Sequence, residues 1–174
     1  MSKSPSLLSF FASSLILLVC ALLEAAIISN INILPAHPDL SLICVLYFSL
    51  QNGRLMGETT GFVSGLFLDF LSAAPFGLNC IFRTIIGYVG GLFIKTVNTE
   101  GIIIPALLGF IATIVKAALL WLLSVLYPSN VVSYNPISFL FLFELGLNTI
   151  LTPIIFKFLG LFRNTLILRP ETVV

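Results

Sequence analysis

The sequence predicts an all-α membrane protein of six transmembrane helices, the second and third of them short, with both termini cytoplasmic. Three observations predict it. Of 174 residues, 59% are hydrophobic and only 9% are charged, where a soluble domain carries roughly 25% charged residues. Mean hydropathy is +1.15, so a water-facing shell cannot be assembled from the side chains present. Six apolar runs separated by short turn-rich stretches take up nearly all of the chain, so residues 1–174 read as a single transmembrane domain.

The first run, 7–28, has the outline of a secretory signal, with Lys3 ahead of it and "EAA" near its end. It continues for about the ~20 residues that a bilayer needs, and it is read as a retained first helix. The second run, 39–50, rises only about 18 Å, short of a ~30 Å hydrocarbon core. Pro38 and Asp39 suit its start, because proline fits a first turn and an acidic residue complements the positive end of the helix dipole. The third run is 55–71 and the fourth 78–94; the fifth and sixth, 102–127 and 137–161, are longer. The stretches "NINILPAHP", "QNGR", "SAAPFG", "KTVNTEG" and "PSNVVSYNP" between them are rich in Pro, Gly, Asn and Ser.

Basic residues fix the orientation. The first, third and fifth loops contain no Lys or Arg, whereas Arg54 and Lys95 lie in the second and fourth. Lys3 precedes the first helix, and Lys157, Arg163 and Arg169 lie toward the tail. Basic residues collect on the cytoplasmic side, and six spans with both ends inside satisfy every one of these positions. A hairpin of the second and third segments that entered and left on one side would strand Arg54 in the bilayer.

Charges also lie inside the apolar runs. In the third, Gly57, Gly61, Gly65 and Asp69 are spaced four apart, an inclined row that drifts by about 40° per step. Small residues at that spacing let another backbone approach closely. The row closes either against a helix of this chain or against a separate membrane protein. Arg83, Gly87 and Gly91 repeat the spacing on the fourth helix, and Arg83 stands at a depth similar to that of Asp69 across the "SAAPFG" turn. Intramembrane charges usually face the bundle and pair, so an Asp69–Arg83 ion pair is expected. Lys116 in the fifth helix and Glu144 in the sixth form a second expected pair, and Glu24 is a spare carboxylate.

Little chemistry is visible. No GxSxG, HExxH or Walker loop occurs, and one histidine, His37, leaves no acid–base constellation, so no enzyme, catalytic residue, metal or cofactor is expected. His37 reads as a loop residue, since a lone His is weak evidence for metal. Cys20, Cys44 and Cys80 lie singly in apolar runs and read as small packing residues. With no basic patch, nucleic acid is not an expected partner; the lipid bilayer is.

The "PDL" at 38–40, "GFVSGLFLDFLSAAPFG" at 61–77 and "IIGYVGG" at 85–91 resemble the rod shape-determining MreD family. That family shows a G-x-x-x-G-x-x-x-D row, a later Gly and a Tyr in the next helix; here these are Gly61, Gly65, Asp69, Gly77 and Tyr88, after Pro38 and Asp39. The resemblance implies a multi-pass, non-catalytic scaffold in the bacterial cytoplasmic (inner) membrane, within the cell-elongation complex or elongasome. It implies direct binding to MreC, whose single membrane helix leads to an external coiled coil. It implies indirect association with MreB, the cell-wall synthases and other rod-complex membrane proteins, which couples the MreB cytoskeleton to lateral peptidoglycan synthesis and cell shape. The family is also similar in fold to the substrate-binding subunits of energy-coupling-factor vitamin transporters. That is the alternative function, supported by an Ala21–Ala25 row on the first helix like the one those subunits use for coupling. A transporter subunit needs a polar outer pocket, for which His37, Asn130, Ser133, Tyr134 and Asn135 are a thin set. A scaffold needs helix contacts within the membrane, so the scaffold is the preferred reading.

Overall fold

The computed structural model describes residues 5–30, 36–72, 75–94, 96–97, 99, 101–127 and 138–167. Lys3, Lys95, Arg169 and the loop residues Asn130, Ser133, Tyr134 and Asn135 lie outside the described residues. The described chain is helical: α1 (Pro5–Asn30), α2 (Leu40–Asn52), α3 (Arg54–Leu71), α4 (Leu78–Leu92), α5 (Ile103–Leu126), α6 (Phe139–Gly160) and a single turn, α7 (Arg163–Leu166). Among the described residues, three stretches are long and apolar enough to cross a membrane: Leu8–Ala26, Ile103–Leu126 and Phe139–Gly160.

The described residues combine buried charges with a largely apolar exterior. Asp39, Asp69, Arg83 and Asn148 are buried, while Phe11, Trp121, Ile154 and Phe158 are exposed. Polar groups turn inward and apolar ones outward when the surroundings are lipid.

The shorter helices are the second and fourth, not the second and third. α3 has 18 residues, whereas α4 has 15 and stops at Leu92. The Gly90–Gly91 pair weakens the helix there, and a tight turn in which Phe93 N–H donates to the Gly90 carbonyl ends it. α2 has 13 residues, and Ser41 to Leu50 are buried without a break. A helix apolar on all sides belongs in a core. Leu17, Phe156 and Leu159 from α1 and α6 pack around it. Tyr47 and Phe156 meet edge to face at 5.2 Å. Cys20 of α1 and Cys44 of α2 lie 3.6 Å apart, sulfur to sulfur, a meeting that their separation in sequence conceals.

Two carboxylates cap the start of α2. Asp39 accepts from Leu42 N–H at 2.9 Å, and Glu24 from Ser41 N–H at 2.6 Å. Both satisfy amides that a helix N-terminus leaves open, and both suit the dipole. Glu24, read as a spare, is therefore engaged. At the other end, a single residue, Gly53, connects α2 to α3. Its φ of +89° lies in the left-handed region that favours glycine.

α3 and α4 pack backbone to backbone. A Cβ on Gly57 would meet the Gly87 carbonyl, one on Gly61 the Arg83 carbonyl, and one on Gly65 the Cys80 backbone. From the other side, Gly87 faces Gly57, and Gly91 faces Arg54. The glycine row is thus filled by the fourth helix of this chain, leaving no space there for a separate protein. A similar close approach, Gly109 of α5 against Thr152 of α6, lay outside the glycine row read from the sequence.

The start of α1, the α2–α3 turn, the loop before α5 and the end of α6 gather at one end of the bundle. Ser9 donates to the Thr165 carbonyl at 2.9 Å, Asn52 to the Leu166 carbonyl at 3.0 Å, and Gln51 to Thr99 at 2.8 Å. The first two bonds seat α7, a turn too short to register in the hydropathy pattern.

Gly61→Leu is expected to abolish a cooperative unfolding transition, because backbone rather than a movable side chain fills the space. Gly146→Ala, with no atom in the way, is expected to leave the midpoint within about 2 °C of wild type, consistent with a change of under ~0.5 kcal/mol. Thermal unfolding of detergent-purified protein reads both.

Candidate functional site

The sequence places charges in or at the start of each helix from α1 to α6, and the fold brings four of these charges together. Asp39 is the centre. Its Oδ1 accepts from Arg83 Nη2 of α4 at 2.5 Å, and its Oδ2 from Lys116 Nζ of α5 at 2.7 Å. Lys116 also donates to Glu144 Oε1 of α6 at 2.6 Å. The result is a chain of charges, Arg83–Asp39–Lys116–Glu144, through four elements. Arg83 is 2% exposed, Asp39 5%, Lys116 15% and Glu144 14%, so water does little to screen the chain.

Neutral polar groups extend it. Asn148, one turn after Glu144, accepts from Asp39 N–H at 2.9 Å and donates to Thr113 at 3.1 Å. Arg83 Nη1 lies 3.4 Å from Ser64 Oγ of α3. The ring of Phe82 lies 5.4 Å from the Arg83 guanidinium carbon and 5.9 Å from Lys116 Nζ, within reach of a cation–π attraction. Arg83 Nε and Ser41 Oγ are buried without a hydrogen-bond partner.

The Asp69–Arg83 pair expected from the sequence does not form. The expected similar depth does not hold: along the seam Arg83 lies against Gly61, whereas Asp69 stands about two turns further along α3, level with the start of α4. The backbone of Arg83 lies on the glycine seam, and its side chain runs to Asp39 instead. Asp69 is taken by the start of α4. It accepts from Gly77 N–H at 2.9 Å, Asn79 N–H at 3.0 Å, Cys80 N–H at 3.3 Å and the Asn79 side-chain amide at 2.8 Å. Gly77, in the left-handed conformation at φ +92°, turns the chain so that these amides face the carboxylate. Asp69 is therefore a cap supplied across the turn by the preceding helix.

The remaining motif residues fall apart from the charge chain. Tyr88 is exposed on α4, and Pro38 is half-buried just before Asp39. His37 is half-buried, with its Nδ1 unpartnered. Among the described residues no three His, Cys, Asp or Glu side chains gather as a metal site would require. Ala21 is fully buried and Ala25 half-buried, so that row faces the bundle.

Asn148 and Thr113 escaped the sequence reading, though a signal was present. Thr113 stands three residues before Lys116, and Asn148 four after Glu144, so each shares the face of its charge. Chemically, the arrangement is a clasp. The charged side chains engage one another, and a charge left without its partner is expensive to bury.

Asp39→Asn leaves two buried cations with one carboxylate between them, and is expected to destabilise by about 3–5 kcal/mol. Asp69→Asn keeps one acceptor oxygen for the α4 amides and is expected to lose less, about 1–3 kcal/mol. Denaturant unfolding in detergent checks the order; equal losses would deny Asp39 its central place.

A family model for rod shape-determining protein MreD matches residues 5–162, nearly the whole chain. No curated protein and no solved structure gives a match.

Proposed function

We propose, from the premise that the chain belongs to the rod shape-determining MreD family, that it is a non-catalytic membrane scaffold of the bacterial cell-elongation complex. Its role in rod shape determination follows from that membership. The finer reading is that it binds MreC directly and, through it, helps couple MreB to lateral peptidoglycan synthesis. The single observation that carries this is the family match across 5–162. The geometry agrees with it: Arg83, Asp39, Lys116 and Glu144 engage one another, while Glu24 and Asp69 cap helix starts, which suits a rigid body that works through its surface.

Six spans with both termini cytoplasmic remain the proposed topology in the bacterial inner membrane. The gathering of the α1 start, the α2–α3 turn, the loop before α5 and α7 at one end supports the parity. Arg54, Lys157 and Arg163 belong to that end, and basic residues favour the cytoplasm.

Since α4 fills the glycine row, a partner helix must use another face. The favoured one is a groove of about 340 Å³ lined by Phe10 of α1, Glu58, Thr59 and Phe62 of α3, and Thr84 of α4. Phe62 is 51% exposed, and the Glu58 carboxylate suits a donor or cation on the incoming helix. In lipid such a contact depends on fit and polar complementarity, because apolar surface gains little by leaving lipid tails.

Co-purification with tagged MreC tests this. Wild type is expected to recover both proteins in comparable amounts. Phe62→Ala with Glu58→Lys is expected to lower MreC recovery by about tenfold, the effect of roughly 1.4 kcal/mol, while the variant itself stays folded. No recovery with wild type rejects the scaffold reading; full recovery with the variant moves the interface off this groove.

A further inference from the structure

The end of the bundle where α7 is seated holds a cavity of about 630 Å³ between the end of α2, the loop before α5 and the end of α6. Two cations line it, Lys157 in the last turn of α6 and Arg163 at the start of α7, and among the described residues no carboxylate does. Its polar wall is held in place, because Gln51 Nε2 donates to Thr99 Oγ1 at 2.8 Å. Its apolar wall includes the edge-to-face pair of Tyr47 and Phe156. The N-cap of α5, Ile102, also lines it and offers no side-chain cap, so the first amides of that helix add positive potential.

We propose that this cavity binds the phosphate headgroup of an anionic membrane lipid. The charges fit a phosphate, which arginine and lysine recognise in complementary ways. The position distinguishes a lipid from a free anion. All three of the described helices long and apolar enough to cross a membrane, α1, α5 and α6, begin or end at this end of the bundle, which puts the cavity at the level of headgroups. Half of its wall is apolar, which a free phosphate does not need and a lipid's glycerol and upper acyl chain do. The site is separate from the charge chain around Asp39 and from the groove at Phe62, so it stands or falls independently of partner binding.

Thermal unfolding in neutral detergent, followed by Trp121 fluorescence, reads it with three additives. Short-chain phosphatidylglycerol is expected to raise the midpoint by roughly 5–10 °C at about a hundredfold excess over its Kd. Phosphatidylcholine of the same chain length and inorganic phosphate are expected to leave it unchanged. Lys157→Gln with Arg163→Gln should remove the rise, and Lys157→Arg should keep it. The proposal is overturned by no rise with phosphatidylglycerol, by an equal rise with phosphatidylcholine, or by a rise that survives in the double variant. An equal rise with inorganic phosphate assigns the cavity to a free anion and overturns the lipid assignment. Should the double variant lose its cooperative transition, native mass spectrometry of the wild type decides. Selective retention of phosphatidylglycerol over phosphatidylcholine supports the site, and unselective retention rejects it.

Discussion

Asp39 has two oxygens and answers two cations with them, and the rest of the bundle is arranged around that fact. Taking a charge out of water costs several kcal/mol per ion, and only good geometry with further hydrogen bonds recovers it. Here Oδ1 receives Arg83 and the Leu42 amide, while Oδ2 receives Lys116. The backbone amide of the same residue is taken by Asn148. One residue thereby fixes the start of α2 against α4, α5 and α6. In lipid, apolar faces discriminate weakly between one rotation of a helix and another, because tails and leucines are alike. Directional contacts to Asp39 supply the discrimination.

That constraint explains how so short a helix can occupy the centre. α2 is 13 residues long, about 20 Å at 1.5 Å per residue, and it is walled on every side by longer neighbours. Its N-terminus is held by two carboxylates, Glu24 and Asp39. Its C-terminus turns through Gly53 directly into α3 and is tied to α7 by Asn52. α3 in turn is fixed to α4 by glycines on both helices, where carbonyls take the places that side chains would otherwise fill. The polar clasp sets rotation, and the glycine seam sets distance. Neither suffices alone. A seam without the clasp leaves α5 and α6 free to turn, and a clasp without the seam leaves Arg83 too far out to reach Asp39.

Much of this was legible in the sequence, and the part that was not has a physical explanation. Helix ends were readable to within about three residues because lipid forces apolar runs to match helices. The glycine row and the identities of Asp69, Arg83, Lys116 and Glu144 stood out because polar or small residues are conspicuous in oil. Lys116 and Glu144 do meet. Arg83 was assigned the wrong partner because counting outward from the turn misplaced the two helices along their axes: the seam sets Arg83 against Gly61, about two turns from Asp69. The true partner lies 44 positions away in a helix whose own location the count does not contain. Asp39 was legible as a helix start, which it is, but not as the hub, since nothing local distinguishes a cap from a cap with two cations. Glu24 reaches Ser41 for the same reason: α1 and α2 are joined by a stretch whose path the sequence does not specify.

The placement of the charged groups bears on how such a molecule is held together. Here the carboxylates of Glu24, Asp39, Asp69 and Glu144, the first three of them buried, each accept a hydrogen bond from this chain, and the four charges of the clasp engage one another. The seam that sequence alone left open to a partner is filled from within. What the fold leaves outward is of another kind: a groove carrying Phe62 and Glu58, and a cavity at one end carrying Lys157 and Arg163. Internal locking of this kind follows from the same scarcity of charge that marks the chain as a membrane protein. With 15 ionisable Lys, Arg, Asp and Glu side chains in the whole sequence, eight basic and seven acidic, each one committed to the clasp is unavailable to a partner.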